Sequence, residues 1–379
     1  MPTKKDSKGG LQDVVATTSA ICDLDGDRGM LSYCGYDISD LATGATFEEV
    51  CYLLWHRRLP TRSELGDLQS QFSAAAPLPE PILRIMRSLP PGDGMDALRT
   101  LTSALAHYDQ EAGDTSAPAQ YRKAIQLTAK ISTIVATWGR LQISGGSIAP
   151  DPALGHAANF LYMLTGQRST TRATRAFDIA LILHADHELN ASTFAGRVTA
   201  ATLSDIYSAV VAAIGALKGA LHGGANAAVM RLLLEIGEDA SNEQIDQAIK
   251  SKLHKKEKIP GFGHRVYRTE DPRATHLRQM SRELGEESGH PGWFSVSERI
   301  EALVKAEKNL NPNVDFYSAS TYHALNIPID LFVPIFAVSR ISGWTAHILE
   351  QYGNNRLIRP RAEYIGPEYP QQFVELSQR

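Results

Sequence analysis

Histidines, carboxylates and arginines able to do chemistry gather at four breaks between apolar runs. In YSAVVAAIGALKGALHGGANAAVMRLLLEIG (207–237), two apolar helical runs flank a glycine-rich break at 219–224 that contains His222. An imidazole at the start of the helix that begins near Gly224 feels the positive end of the helix dipole. That field disfavours the cation and leaves a neutral donor able to polarise a carbonyl. The competing reading is a packing histidine bonded to a backbone carbonyl. In PGFGHRVYRTEDPR (260–273), Gly261 and Gly263 permit close backbone approach by a ligand beside His264, and Arg265, Arg268 and Arg273 follow. One loop thus offers a hydrogen-bond donor and positive charge, or is a solvated basic loop. GFGHRV lacks the third glycine of a dinucleotide fingerprint and follows no strand pattern, and no Walker A sequence occurs.

The third break, NPNVDFYSAS (311–320), places Asp315 after a turn and ahead of a semi-apolar helix. It reads either as an N-cap or as a partly buried general base beside aromatic residues. The fourth, ALILHADHELNAST (180–193), ends an apolar run with His184, Asp186, His187 and Glu188. HADHE matches neither HExxH nor HxxEH, so a zinc hydrolase is disfavoured and no metal is assigned. One histidine as a ligand-facing donor and the other as a core group is the simpler expectation.

The elements that must position these groups read as mainly α-helical. A chain of 379 residues, 43% hydrophobic, exceeds the usual size of one core, so a large and a small domain are expected. TFEEVCYLLWHRR (46–58) puts Phe47, Val50, Cys51 and Leu54 on one face behind a Thr46/Glu49 capping box. The pairs Thr61/Glu64, Ser241/Gln244 and Ser295/Glu298 repeat that signature. The one strand candidate spans 16–38, where DGD supplies a hairpin turn. Breaks are expected near 108–120, 143–154, 259–273, 284–293 and 309–315.

A net charge of -4 provides no general attraction for nucleic acid or an anionic membrane, so any anion must be caught locally. Residues 1–10 are polar, lack a secretory apolar segment and read as a mobile tail. The apolar stretch 324–348 contains Pro328, Asp330, Pro334 and Arg340, which suits a buried helical pair better than a membrane span. Arg340 interrupts the run LFVPIFAVSRISGW, where an unpaired guanidinium is costly, so a buried anionic partner or substrate is expected. Cys22, Cys34 and Cys51 form no CxxC knuckle and suit a reducing cytoplasm.

Taken in order, HADHELNAST, GALHGGAN, PGFGHRVYRTEDPR, PNVDFYSAS, FAVSRISGWTAHILEQ and NNRLIRPRAEYIGP resemble the citrate synthase family, in its bacterial and archaeal form that includes the 2-methylcitrate synthases. The resemblance runs from YCGYDI at 33–38 to YIGP near the C-terminus. It implies an all-helical fold with a large domain (1–222 and 324–379, the latter ending in a C-terminal arm) and a smaller mobile domain (223–323). The implied activity is a Si-type acyltransferase of the tricarboxylic acid cycle. It would condense acetyl-CoA with oxaloacetate and water to citrate and CoA through an enol or enolate and citryl-CoA, the alternative being propionyl-CoA and 2-methylcitrate. The resemblance makes His222, His264 and Asp315 catalytic and gives oxaloacetate to His187, Arg273, Arg340 and Arg359. It gives coenzyme A to Lys256, Lys258, Ile259, Pro260, Gly261, Gly263 and Arg268. It implies no cofactor beyond the thioester substrate, a cytoplasmic homodimer, and Arg359 donated across the dimer interface. One departure stands out: relatives commonly carry Arg where this chain has Cys34.

Overall fold

The computed structural model describes Leu11 and residues 14–379; the tail expected over 1–10 lies outside the described residues. Among these residues the regular structure is one small sheet and sixteen α-helices. The sheet comprises β1 (Cys22–Asp25), β2 (Met30–Tyr33) and β3 (Tyr36–Asp37). The helices are α1 (Ile38–Gly44), α2 (Phe47–His56), α3 (Arg62–Ala75), α4 (Glu80–Ser88), α5 (Gly94–Leu105), α6 (Ala117–Ser144), α7 (His156–Thr165) and α8 (Thr171–His184), then α9 (Ala191–Ala201), α10 (Ile206–Leu217), α11 (Ala225–Ile236), α12 (Asn242–His254), α13 (Pro272–Ser288), α14 (Gly292–Lys308), α15 (Val314–Ala324) and α16 (Phe332–Gly353).

The core is organised around α16, which packs against α2, α5, α6, α8, α9 and α10. Its apolar residues face neighbours on all sides, and its buried set runs almost unbroken from Phe332 to Ile348. With its preceding turn it is long and apolar enough to cross a membrane, yet nearly all of that length is buried inside the protein. The expected helical pair over 324–348 is therefore corrected to the end of α15, a 3-10 turn at Ile329–Leu331 and one long helix. Pro334 does not break that helix because it lies in the first turn, where the backbone N–H has no intrahelical acceptor to lose.

Helices α11 to α15 pack mainly on one another, through α13 on α15, α11 on α15 and α12 on α14. They meet the remainder of the chain chiefly where α13 touches α1 and α8 and where α11 touches α16. Capping boxes form at Thr46, Thr61 and Ser241 as the sequence suggests. The one expected at Ser295 does not form. Helix α14 already begins after Pro291, which leaves Ser295 inside the helix with its hydroxyl turned back to the Pro291 carbonyl.

The strand candidate resolves into an antiparallel sheet, with Cys22 opposite Tyr33 and Asp25 opposite Met30. In the β1–β2 turn, Asp25 Oδ1 accepts from the amides of Asp27 and Arg28, each at 3.0 Å. The β2–β3 turn is Cys34-Gly35, with φ of 50° and 87°, the paired positive values of a two-residue hairpin turn. Burial pushes the Cys34 thiol up to about 11, so it is neutral at physiological pH. The cation that acts on it is Arg57, which pairs with Glu350 at 3.0 Å.

Candidate active site

His222 sits in the turn between α10 and α11, whose N-cap is Gly224. That turn is tight: the Gly223 amide donates to the Leu217 carbonyl at 3.0 Å, and a Cβ on Gly223 would lie 2.4 Å from the same oxygen. His222 Nε2 lies 2.8 Å from Ser192 Oγ and 3.3 Å from the Ser192 amide. An amide can only donate, so Nε2 accepts and the ring proton resides on Nδ1. Ser192 is itself fixed, since Trp344 Nε1 donates to its hydroxyl at 3.1 Å and Asn190 Oδ1 lies 2.8 Å away. The imidazole is pushed down to about 4, first by burial and then by the Arg340 charge. It is therefore neutral, as expected, but burial rather than the helix dipole is the principal cause.

His264 lies on the long loop between α12 and α13, which is pinned on two sides. Its glycine end pairs with the segment before α15: Gly263 N donates to Asn311 O, Asn313 N to Gly261 O, and Asn313 Nδ2 to Gly263 O, at 2.8 to 3.0 Å. Its far end rests on the β1–β2 turn, where Arg268 N donates to Gly26 O at 2.9 Å. A Cβ on Gly26 would lie 2.2 Å from the Val266 carbonyl oxygen. Between these anchors His264 Nδ1 accepts from the amides of Val266 (3.0 Å) and Tyr267 (3.2 Å), which leaves the ring proton on Nε2. Burial, reinforced by Arg273, pushes His264 down to about 4.

His187 packs beside it, with ring centroids 5.2 Å apart and His187 Nε2 3.2 Å from the Tyr267 hydroxyl. Burial and the Arg273 charge hold His187 well below the usual histidine range. Its neighbour His184 is the core group of the pair, wholly buried with Nδ1 2.7 Å from the Ala180 carbonyl of its own helix. Among the described residues no three His, Cys, Asp or Glu side chains are grouped to hold a metal ion.

Arg273 and Arg340, both buried, differ in their partners. Arg273 forms a two-point pair with Asp271, Nε to Oδ1 at 2.9 Å and Nη2 to Oδ2 at 2.8 Å. Asp271 also accepts from the Val314 amide and so ties the start of α13 to the start of α15. Arg340 Nε donates to the His184 carbonyl at 2.7 Å, but its Nη2 is buried with no hydrogen-bond partner among the described residues. An unmet donor of this kind costs about 1–3 kcal/mol and favours an incoming anion. Arg359 lies on the exposed stretch beyond α16 and is not assembled with the buried arginines.

Asp315 is in the first turn of α15, and the N-cap is Asn313, whose Oδ1 accepts from the Asp315 amide at 3.0 Å. The N-cap reading of Asp315 is thereby corrected, because Asn313 two residues earlier does that work. Burial raises Asp315 to about 7 against the pull of Arg273, while Asp271 pushes the same way as burial.

Of the remaining sequence candidates, Ile259 is buried and Pro260 half-buried, whereas Lys256, Lys258 and Arg268 are exposed along the loop. Gly261 and Gly263 have φ of 79° and 77°. A Cβ on Gly261 would meet Val229 and Phe316 at 2.8 and 2.9 Å, so the fold itself requires glycine there whatever binds. Ser192, Tyr267 and Asp271 escaped the sequence reading. Asp271 carried a usable signal, since Asp followed by Pro is a helix-start pattern and Asp271 does cap α13.

Residues 10–361 match the family model described as citrate synthase, C-terminal domain. Citrate synthase 2 of Bacillus subtilis (strain 168) is 54% identical over 372 residues, covering 98% of each chain. A citrate/2-methylcitrate synthase of the same organism is 42% identical, covering 97% of this chain and 99% of its own. The solved ternary complex of carboxymethyl coenzyme A and oxaloacetate with citrate synthase from Thermoplasma acidophilum superimposes with a TM-score of 0.91 at 32% identity, covering 97% of this chain and 98% of the other.

Proposed function

The chain belongs to the citrate synthase family, and from that premise we infer that it condenses acetyl-CoA with oxaloacetate and water to give citrate and CoA. Asp315 is the base that removes a proton from the thioester methyl group. That carbon acid is far weaker than any carboxylic acid, so the enolate must be stabilised as it forms. His222, neutral with its proton on Nδ1, donates to the thioester oxygen as an oxyanion-hole group does. The enol or enolate carbon then attacks the oxaloacetate ketone, whose oxygen becomes an alkoxide stabilised by a hydrogen bond from His264 Nε2. Water hydrolyses the citryl thioester and releases CoA.

The observation that carries this reading is the buried Arg340 guanidinium with an unmet nitrogen, on a core helix that also packs against α8 and its HADH end. A dicarboxylate supplies the missing acceptor. Arg273, Arg340 and His187 bind oxaloacetate, and Arg359 comes from the second copy in a homodimer. The arm that bears Arg359 exposes Leu357, Tyr364 and Ile365, which suits burial against a partner. Residues 223–323 form the smaller domain that closes over both substrates and excludes water before the enolate forms.

Coenzyme A enters as substrate and not as a resident cofactor, along the loop from Lys256 and Lys258 through Ile259, Pro260, Gly261 and Gly263, with Arg268 toward its phosphates. Three free cysteines fit a cytoplasmic location. Propionyl-CoA as the preferred acyl donor is the second reading, supported by the citrate/2-methylcitrate synthase relative. One methylene is worth only about 1–3 kcal/mol in an apolar pocket. The test is thiol release with oxaloacetate and each acyl-CoA in turn. A higher kcat/KM for acetyl-CoA is expected, and a higher value for propionyl-CoA would reverse the assignment.

A further inference from the structure

Asp186 is wholly buried, and its carboxylate is held on one side only. Oδ2 accepts from His347 Nε2 and from the Glu188 amide, each at 3.2 Å, while Oδ1 has no hydrogen-bond partner among the described residues. His347 is held in turn from behind, with Arg197 Nη1 3.0 Å from its Nδ1. A guanidinium can only donate, so Nδ1 accepts and the ring proton must face Asp186. Arg197 is fixed by Glu350 at 2.7 Å and by Gln351 at 3.1 Å. Glu350 reaches the surface through Arg57 and the Ala20 amide. The result is a continuous network in which Glu350 accepts from both Arg57 and Arg197, and from Arg197 the donors run in one direction through His347 to Asp186.

We propose that His347 is a positioning residue for the dicarboxylate site, acting through Asp186 on the turn 184–188. That turn carries the His184 carbonyl that holds Arg340 Nε, and it carries His187. Helix α16 carries both Arg340 and His347, two turns apart, and between them Gly343 allows the closest approach. A Cβ on Gly343 would lie 2.4 Å from both Ala185 O and Asp186 Oδ1. The bond from His347 to Asp186 therefore sets the spacing between the turn and the helix, and with it the spacing of His187 and Arg340. This inference rests on the reading of His187 and Arg340 as oxaloacetate ligands.

The test compares His347→Phe, which keeps ring volume but removes both hydrogen bonds, with His347→Gln, which retains a donor and an acceptor. Oxaloacetate affinity is measured by calorimetry and both KM values by turnover. The Phe variant is expected to weaken oxaloacetate binding and raise its KM by about 10–100-fold, the scale of one buried bond to a charged group. The acetyl-CoA KM should stay within about 2-fold, because the relay touches only the dicarboxylate ligands, and the Gln variant should recover most of the loss. A lowered melting temperature with unchanged oxaloacetate affinity overturns the proposal, as does an equal change in both KM values. If His347→Phe does not fold, Arg197→Met keeps the ring and removes its fixing donor, and unchanged oxaloacetate affinity in that variant is equally decisive. Wild-type protein that binds oxaloacetate but makes no citrate would refute the reaction assigned above, and the calorimetric comparison would still judge His347.

Discussion

Replacing Asp315 with Asn should stop turnover and stabilise the protein, with a pH signature that separates a strained base from an ordinary surface carboxylate. Burial raises Asp315 from 3.8 to about 7. Between those values the unfolded chain has released this proton while the folded chain still holds it. Fewer protons bound in the unfolded state means that stability falls as pH rises, from about 4 until the folded group ionises near 7. About 3 pH units at about 1.36 kcal/mol each set an upper bound of about 4 kcal/mol. Asp315 as a residue is half-buried, and solvent screening lowers the effect to roughly 1–3 kcal/mol. The amide in Asp315→Asn cannot ionise and escapes this cost. The melting temperature of Asp315→Asn relative to wild type should therefore rise steadily between pH 4 and 7 and then level off. Turnover should fall by about 10²–10⁴-fold, the usual effect of losing a general base. A variant less stable than wild type by a pH-independent margin, or one with near-normal turnover, would refute the reasoning.

The same geometry bears on three other substitutions. Arg340→Met removes the unmet buried donor, and two charged hydrogen bonds to a substrate carboxylate at about 1.5–3 kcal/mol each predict a loss of about 10²–10⁴-fold in kcat/KM for oxaloacetate. Oxaloacetate should also cease to raise the melting temperature of that variant, and unchanged kinetics would exclude Arg340 from the site. Gly26→Ala drives a methyl group into the Val266 carbonyl of the His264 loop, so kcat should drop about 10-fold or more as His264 moves, read by steady-state kinetics. Gly35→Ala is the control: its φ of 87° makes alanine strained but nothing lies within 4 Å, so about 1 kcal/mol of stability should be lost with kcat unchanged.

Much of the site could be read locally. His222 in a glycine break, Arg340 inside an apolar run and the capping boxes at Thr46, Thr61 and Ser241 are features of neighbouring residues. Helix periodicity and capping act over three or four positions, and the chain displays them directly. The error at Ser295 has the same local origin, since a valid signature was outcompeted by an earlier start at Pro291. Asp315 and Asn313 were harder to separate, because either can cap a helix and only the backbone angles choose between them.

What the sequence by itself determined is the mainly helical class, the family and the residue types that the chemistry needs. Tertiary structure alone decided their protonation and their partners. The tautomer of His264 depends on two amides of its own loop, which the β1–β2 turn holds in place from more than 200 positions away. The neutrality of His222 comes from burial and from the Arg340 charge, and Arg340 finds its backbone acceptor at the His184 carbonyl at the end of another helix. Desolvation and hydrogen-bond direction are properties of what surrounds a group in space. No window along the chain contains them.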